Sequence, residues 1–556
     1  MQLLSSISVL QSILPGLQAQ SHTSGHTTVH RLPNEILIAI FKEVLSGYQR
    51  GATYRLDGRE DAWVDTSALV KLTHVCRRWR DTALYYPPLW TRINGQHRGR
   101  LQAFLERSHG APLSLYLHTG LRDLRDILLR NASRLKRLDL NILTGMDKTQ
   151  WSGLTTIMAD SLECFTLSGR CFDEETRSLT HTLLFGRESL PLKALAVYRM
   201  CGWVPVNSFP GLTHLYIAFV PRVAYPITAL FQVLRAAARL QYVHLSSVPD
   251  CSAEKKLETS ISLPDVRSLV ITQSYMDNAF HLVSTLSLPR NAYVRLDDLD
   301  FNLFHGLPPL PCLPVTEEAN QLYILVQGSF LRMICEGPSS GLWVQMGYDL
   351  LNDHDASLLD EWLSSLPSTL RLEQITSLRL CTGDHPQIFQ MLLPYLPRLS
   401  DLRVFFDIQY ERESAHGRTA VAPVLYSSLG QDTPFLVPHL ESMSVEIECG
   451  PLHVAPDVAA DELGCMLAAR ASKGCPVQTF TIRPFAGCKW ADEDVFSIVD
   501  RGLSTIRDRH QIVVVPPSPA RLPSYERERC WESEEAEKYW ELSNSDKPGV
   551  YLKFLP

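Results

Sequence analysis

Leu212–Ile217 reads LTHLYI, and its frame, L-x-x-L-x-L with apolar substitutes, returns along most of the chain. Before it stand LKRLDL at Leu135, LECFTL at Leu162 and LKALAV at Leu192; after it stand LQYVHL at Leu240 and VRSLVI at Val266. The steps are 27, 30, 20, 28 and 26 residues, near the roughly 20–29 residue period of repeats that join one strand to one helix. Later copies are ITSLRL at Ile375, LSDLRV at Leu399, LESMSV at Leu440 and VQTFTI at Val477. Helical stretches separate several of them, such as PITALFQVLRAAARL (Pro226–Leu240) and ASLLDEWLSSL (Ala356–Leu366). A unit with one apolar strand face and one apolar helix face cannot bury both alone, and stacked neighbours bury one continuous core. The expected fold is therefore α/β, a right-handed solenoid of parallel strands. The frame weakens between Leu288 and Met346, where AYVRL, LYILVQ and LWVQM still alternate as strands do. A non-repetitive α/β domain with leucine-rich strands is the competing reading.

Composition narrows the class. The 556 residues are 45% hydrophobic and 20% charged, values of soluble globular chains. The net charge of −7 disfavours a nucleic-acid partner. No apolar run reaches the roughly 18 residues of a membrane span. Thirteen scattered cysteines without CxxC spacing read as reduced thiols of a cytoplasmic or nuclear protein. The apolar opening MQLLSSISVLQSILPGLQAQ and the sequon Asn131-Ala132-Ser133 keep a secreted repeat protein as a third reading, although a basic n-region is missing.

Near the N-terminus lies a different kind of segment. In RLPNEILIAIFKEVL (Arg31–Leu45) the apolar residues Leu32, Ile36, Leu37, Ile40, Phe41, Val44 and Leu45 form one helical stripe. Pro33 suits the first helical position. TSALVKLTHVCRRWRDTALY (Thr66–Tyr85) repeats the pattern, and PPLW (Pro87–Trp90) stops it. LPNEIL, then VCRRW, then PPLW in this order resembles an F-box, a helical module that docks on the Skp adaptor of a cullin–RING ubiquitin ligase. The resemblance implies docking and core roles for Leu32, Pro33, Ile36, Leu37, Ile40, Phe41 and Trp79. It places Val75, Cys76 and Trp90 mainly in the core. SGYQRGATYRLDGREDAW (Ser46–Trp63) departs from the family as a looped-out insertion. Arg77, Arg78 and Arg80 read as a solvated charge run. The repeats resemble the degenerate leucine-rich repeats of F-box proteins, and LERSHGAPLSLYL (Leu105–Leu117) resembles the linker of fungal ones. The expected organisation is a flexible lead-in (1–29), F-box (30–93), linker (94–111), solenoid (112–515) and tail (516–556).

Signs of chemistry are few. The chain has no phosphate-binding glycine loop and no G-x-S-x-G elbow. His22, His26 and His30 are spaced as ligands on a helix would be, but SHTSGHTTVH is Gly- and Thr-rich and reads as a flexible lead-in. NDHDAS (Asn352–Ser357) reads as N-cap chemistry for the helix near Ala356. No catalytic residue, cofactor or metal is expected. The informative positions are those between and after the last two apolar residues of each frame, which face the concave side of a solenoid. They carry Tyr198, His214, Tyr216, Tyr242 and His244, then Arg379, Arg403, Phe405 and Arg483. Tyr and Arg are enriched at binding hot spots, although exposed strand positions also favour Tyr. As solvent-facing groups they should contribute little to stability. The proline-rich VPPSPARLPS (Val515–Ser524) leads to YERERCWESEEAEKYWEL (Tyr525–Leu542), a charged helix that either caps the last repeat or hangs free. The resulting expectation is a substrate receptor of a Skp–cullin–F-box ubiquitin ligase, joining the Skp adaptor, and through it cullin, to a client protein. A repeat scaffold outside any ligase is the alternative.

Overall fold

The computed structural model describes residues 32–49, 66–121, 123–142, 156–169, 183–200, 203–220, 227–250, 260–300, 308–327, 330–347, 353–381, 387–407, 421–431, 435–448, 460–485, 503–504, 506, 512–514, 535–536 and 538–540. The lead-in histidines and residues 50–63 of the 46–63 insertion lie outside these residues. The chain divides into two compact units, Met1–Ala237 with Glu534–Lys547, and Ala238–Ser533 with Pro548–Pro556.

The first unit opens with helices α1 (Asn34–Gln49), α2 (Ser67–Thr73) and α3 (Arg77–Leu84). Pro33 sits one residue before α1, and its carbonyl accepts from Leu37 N at 3.2 Å. The two prolines of PPLW form a 3₁₀ turn, Pro87–Trp90, because neither can donate to a continuing α-helix. The remaining elements are β1 (Arg92–Asn94), α4 (Arg98–Arg107), β2 (Leu113–His118), α5 (Leu124–Asn131), β3 (Leu135–Ile142), β4 (Cys164–Gly169), β5 (Ala194–Tyr198), β6 (His214–Ala218) and α6 (Ile227–Ala236). Strands β1 to β6 pair in parallel in chain order.

The register follows the repeat frame. Leu138 pairs with Phe165, Phe165 with Leu195, and Leu195 with Leu215; Leu140, Leu167, Val197 and Ile217 pair in the same way two residues on. These are the fourth and sixth frame positions of successive copies, and all are buried. A slip of one residue would turn every one of them to the other face, so burial of the apolar row sets the register.

The span 94–111 is not a linker. Helix α4 occupies it and buries Leu101 and Phe104. Phe104 packs edge-on against Trp90, with ring centroids 4.8 Å apart. Strand β1 pairs with β2, so the N-terminal helices are continuous with the sheet. Asn131 is buried, its Nδ2 donating to Ile127 O at 2.6 Å and its Oδ1 accepting from Arg134 Nη2 at 2.7 Å. That amide has no room for a glycan in this fold.

The second unit is also a mostly parallel sheet. It contains β7 (Tyr242–Ser246), β8 (Ile261–Ser262), β9 (Ser268–Thr272), α7 (Met276–Thr285), β10 (Leu286–Ser287), β11 (Tyr293–Leu299), β12 (Gln321–Gln327), β13 (Phe330–Glu336), β14 (Gly341–Gly347), α8 (Asp353–Thr369), β15 (Ser377–Cys381), α9 (Gln387–Leu392), β16 (Asp401–Asp407), α10 (Val421–Gly430), β17 (Ser442–Glu448), α11 (Ala460–Ser472), β18 (Thr479–Phe485) and β19 (Ile512–Val514). Helix α8 starts at Asp353, so Asp353, His354 and Asp355 lie in its first turn rather than ahead of a helix that starts near Ala356. Apart from the two-stranded pairing of β8 with β10, the strands run β7, β9, β11, β14, β13, β12, β15, β16, β17, β18, β19 across one sheet. Where the frame fails, β12, β13 and β14 form an antiparallel meander. Its connections are too short for the crossover that a parallel pair requires. The frame resumes in register at β15, with Leu378 opposite Leu402 and Leu380 opposite Val404.

Candidate functional site

Helix α1 presents two different apolar faces. Leu37 and Phe41 are fully buried, and Phe41 meets Trp79 of α3 edge-on at 5.1 Å. Of the docking and core roles expected for the stripe, these two residues take the core one, because the stripe is wide enough to serve both an inner and an outer face. Ile36 points outward with 46% of its surface exposed. Pro33 is exposed, while Leu32, Ile40 and Trp79 are half-buried. Val75 was expected in the core and is instead 59% exposed, in the turn between α2 and α3. Cys76 is half-buried, and its sulfur caps α3 by accepting from Trp79 N at 3.5 Å.

The arginine run is not simply solvated. Arg78 donates from Nη2 to the carbonyl of Leu32, and its Nη2 lies 3.4 Å from Asn34 Oδ1. It ties the LP turn to α3. Arg80 Nε donates to Thr73 O at 3.0 Å and closes the end of α2. Trp90 is buried, donates from Nε1 to Ala83 O at 2.7 Å, and lies under Arg107 at 4.5 Å. An open groove of about 760 Å³ is lined by Asn34, Ile38, Arg78, Thr82, Tyr85 and Tyr86, among others. Tyr85, on its rim, is 87% exposed.

The strand ladder holds a second constellation. Strand alternation places Tyr116, Asp139, Thr166, Ala196 and Tyr216 in one row across β2 to β6. Arg137, Cys164, Ala194 and His214 form the next row, with Ser168, Tyr198 and Ala218 beyond. The expected residues Tyr198, His214 and Tyr216 therefore do share a face. Their exposure is corrected: all three are buried, Tyr216 to 1%. The cover comes from the C-terminal tail. Trp540 is 3% exposed and forms one apolar cluster with Tyr116, Cys164, Ala194, Ala196, Tyr198, Tyr216 and Ala218, and Tyr539 packs against it. His214 Nε2 donates to Glu535 O at 2.8 Å, and its ring meets Tyr539 edge-on at 4.9 Å. Burial pushes the His214 imidazole below its usual range and the Cys164 thiol up to about 12. A protonated thiol in this setting is packing material rather than a nucleophile.

A buried ion pair borders the cluster. Arg137 Nε and Nη2 grip Asp139 at 2.6 and 3.1 Å, and the guanidinium lies 5.5 Å from the Tyr116 ring. The Asp139 side chain is wholly buried. Arg137→Ala leaves that carboxylate unpaired and is expected to destabilise the first unit by about 3–5 kcal/mol. Denaturant unfolding measures it, and a loss under about 1 kcal/mol would mean that water reaches Asp139.

The other expected ladder residues belong to the second unit. Tyr242 and His244 on β7 are buried, not solvent-facing, and His244 Nε2 lies 3.4 Å from Thr272 Oγ1. Arg379 and Arg403 are half-buried neighbours on β15 and β16. Arg403 pairs with Asp401 at 3.2 Å. The side chain of Arg483 lies outside the described residues.

Sequence reasoning put Val75 in the core and Arg78 in solvent, did not single out Tyr85, and did not place the tail aromatics on the ladder. Only the tail left a usable signal: small residues at three adjacent ladder positions, Cys164, Ala194 and Ala196, and a Tyr-Trp pair without an assigned partner.

Residues 29–96 match the F-box-like family model. The chain thus carries an F-box-like domain near its N-terminus, and such domains typically bind Skp adaptors of ubiquitin ligases. No curated protein matches the chain. Among the described residues, no helix is long and apolar enough to cross a membrane.

Proposed function

We propose that this chain is the substrate-recognition subunit of a Skp–cullin–F-box ubiquitin ligase, acting in the cytoplasm, the nucleus or both. The F-box-like domain at 29–96 carries the reading. Its outward residues Pro33, Ile36 and Val75 offer apolar surface to the Skp adaptor, while Leu37, Phe41 and Trp90 hold the helices that present them. The sheets hold the client, and the chain contributes no catalytic group; proximity to the ligase's own catalytic subunits supplies the rate. In-register parallel strands at the L-x-x-L-x-L copies support leucine-rich-repeat-like units of a right-handed solenoid. The test is co-expression with the Skp adaptor and cullin. A stoichiometric complex on size exclusion is expected, with bound clients identified by mass spectrometry.

One observation favours a second reading, a scaffold outside any ligase. The F-box-like domain runs directly into the sheet through β1 and β2, as the N-terminal cap of a stacked array does. Failure of the chain to co-purify with any Skp adaptor would select it.

A further inference from the structure

The tail covers the ladder at one place, and the chemistry of that place is specific. Cys164, Ala194, Ala196 and Ala218 carry small side chains and lie on three adjacent strands, with Thr166 and Ser168 beside them on the same face. Tyr116 stands on the β2 side of this dent, and Tyr198 and Tyr216 on the β5–β6 side. Small residues between tyrosines leave room for one large flat side chain, and Trp540 fills it. His214, at the margin, donates to a backbone carbonyl, that of Glu535, and meets the Tyr539 ring edge-on. Lys538 N donates to Glu535 O at 3.3 Å, so the segment arrives as a turn that delivers its aromatic pair together. An indole in an apolar pit, an edge-on aromatic beside it and one backbone hydrogen bond make a compact peptide-recognition site.

We propose that this dent recognises a short peptide turn bearing a Tyr-Trp pair, and that Glu535–Trp540 is its intramolecular occupant, which a client segment of the same chemistry displaces. The proposal deepens the receptor reading above and rests on the ladder being the client face. An occupant on the same chain competes at a high effective concentration. The receptor therefore holds only clients that bind the dent more strongly than its own tail does.

The experiment needs no client. A fluorescent peptide of the sequence SEEAEKYWEL (Ser533–Leu542) is titrated against the full chain, its Tyr539→Ala/Trp540→Ala variant, and that variant with Ala196→Leu added. The peptide is expected to bind the tail variant at least tenfold more tightly than the wild type, and Ala196→Leu, which fills the dent, is expected to abolish the binding. A companion measurement reads the occupant itself. Tryptic cleavage after Lys538 should be at least tenfold faster in the tail variant and in Ala196→Leu than in the wild type, with the other cleavage sites unchanged. Equal peptide binding to wild type and tail variant, or Lys538 cleaved as fast in the wild type as in the variants, would overturn the proposal. The receptor reading fails separately, by the absence of a Skp complex or of any captured client.

Discussion

Ile36→Arg is expected to abolish co-purification with the Skp adaptor and to leave the melting temperature unchanged. Ile36 lies on the outer face of α1 with nearly half its surface in water, so replacing it should move stability by no more than about 0.5 kcal/mol. At an interface the same residue would be an apolar anchor. Losing an anchor costs about 2 kcal/mol or more, roughly thirtyfold in affinity, and a buried unpaired guanidinium adds to that cost. Phe41→Ala supplies the contrast. Phe41 is wholly enclosed against Trp79, and its truncation should cost about 3–5 kcal/mol. Binding is then lost by unfolding, which circular dichroism detects. If Ile36→Arg still co-purifies undiminished, the adaptor does not use this face of α1, whatever the stability data show.

The two faces of α1 mark how far sequence could go. Spacing identified the helix and its apolar stripe, but the seven positions of that stripe cover more than one side. Which of them turn inward depends on where α3 crosses, and that is set by tertiary packing. The strands were more legible. Each L-x-x-L-x-L copy carries a strand, and the copies on β3 to β6, on β7 and β9, and on β15 to β18 pair with their neighbours at the fourth and sixth positions. That periodicity is local and is enforced by burial of one face. The meander of β12 to β14 was legible as strands but not as a change of direction, since alternation reads the same in either sense. Least legible was the ladder. Period-two alternation says which residues share a face, and nothing about what covers it. The cover over His214 comes from Glu535, 321 positions away in sequence, through a tail whose charge suggested solvent or the last repeat.

That distant cover reverses the expectation for the ladder tyrosines. Tyr216→Ala was expected to be nearly neutral if the residue faced solvent; with Tyr216 enclosed, it is expected to cost about 3 kcal/mol, as large aromatic truncations in a packed cluster do. In a unit of this size that lowers the melting temperature by about 6–12 °C. Tyr198 also loses its ring neighbour, 6.3 Å away, and the apolar cluster around Trp540 loses a member. A double-mutant cycle separates the sheet's share from the tail's. Trp540→Ala alone should destabilise as well, because it empties the same cluster from the other side. If the two side chains stabilise each other, the double variant should fall short of the summed losses by about 0.5–3 kcal/mol. Strict additivity would mean that Tyr216 is held by the strands alone and that the tail contributes nothing to its burial in solution. Coupling of the expected size would mean that the face on β4 to β6 is completed by the last residues of the chain. Any client reaching that face must then first offset the stability its own arrival removes.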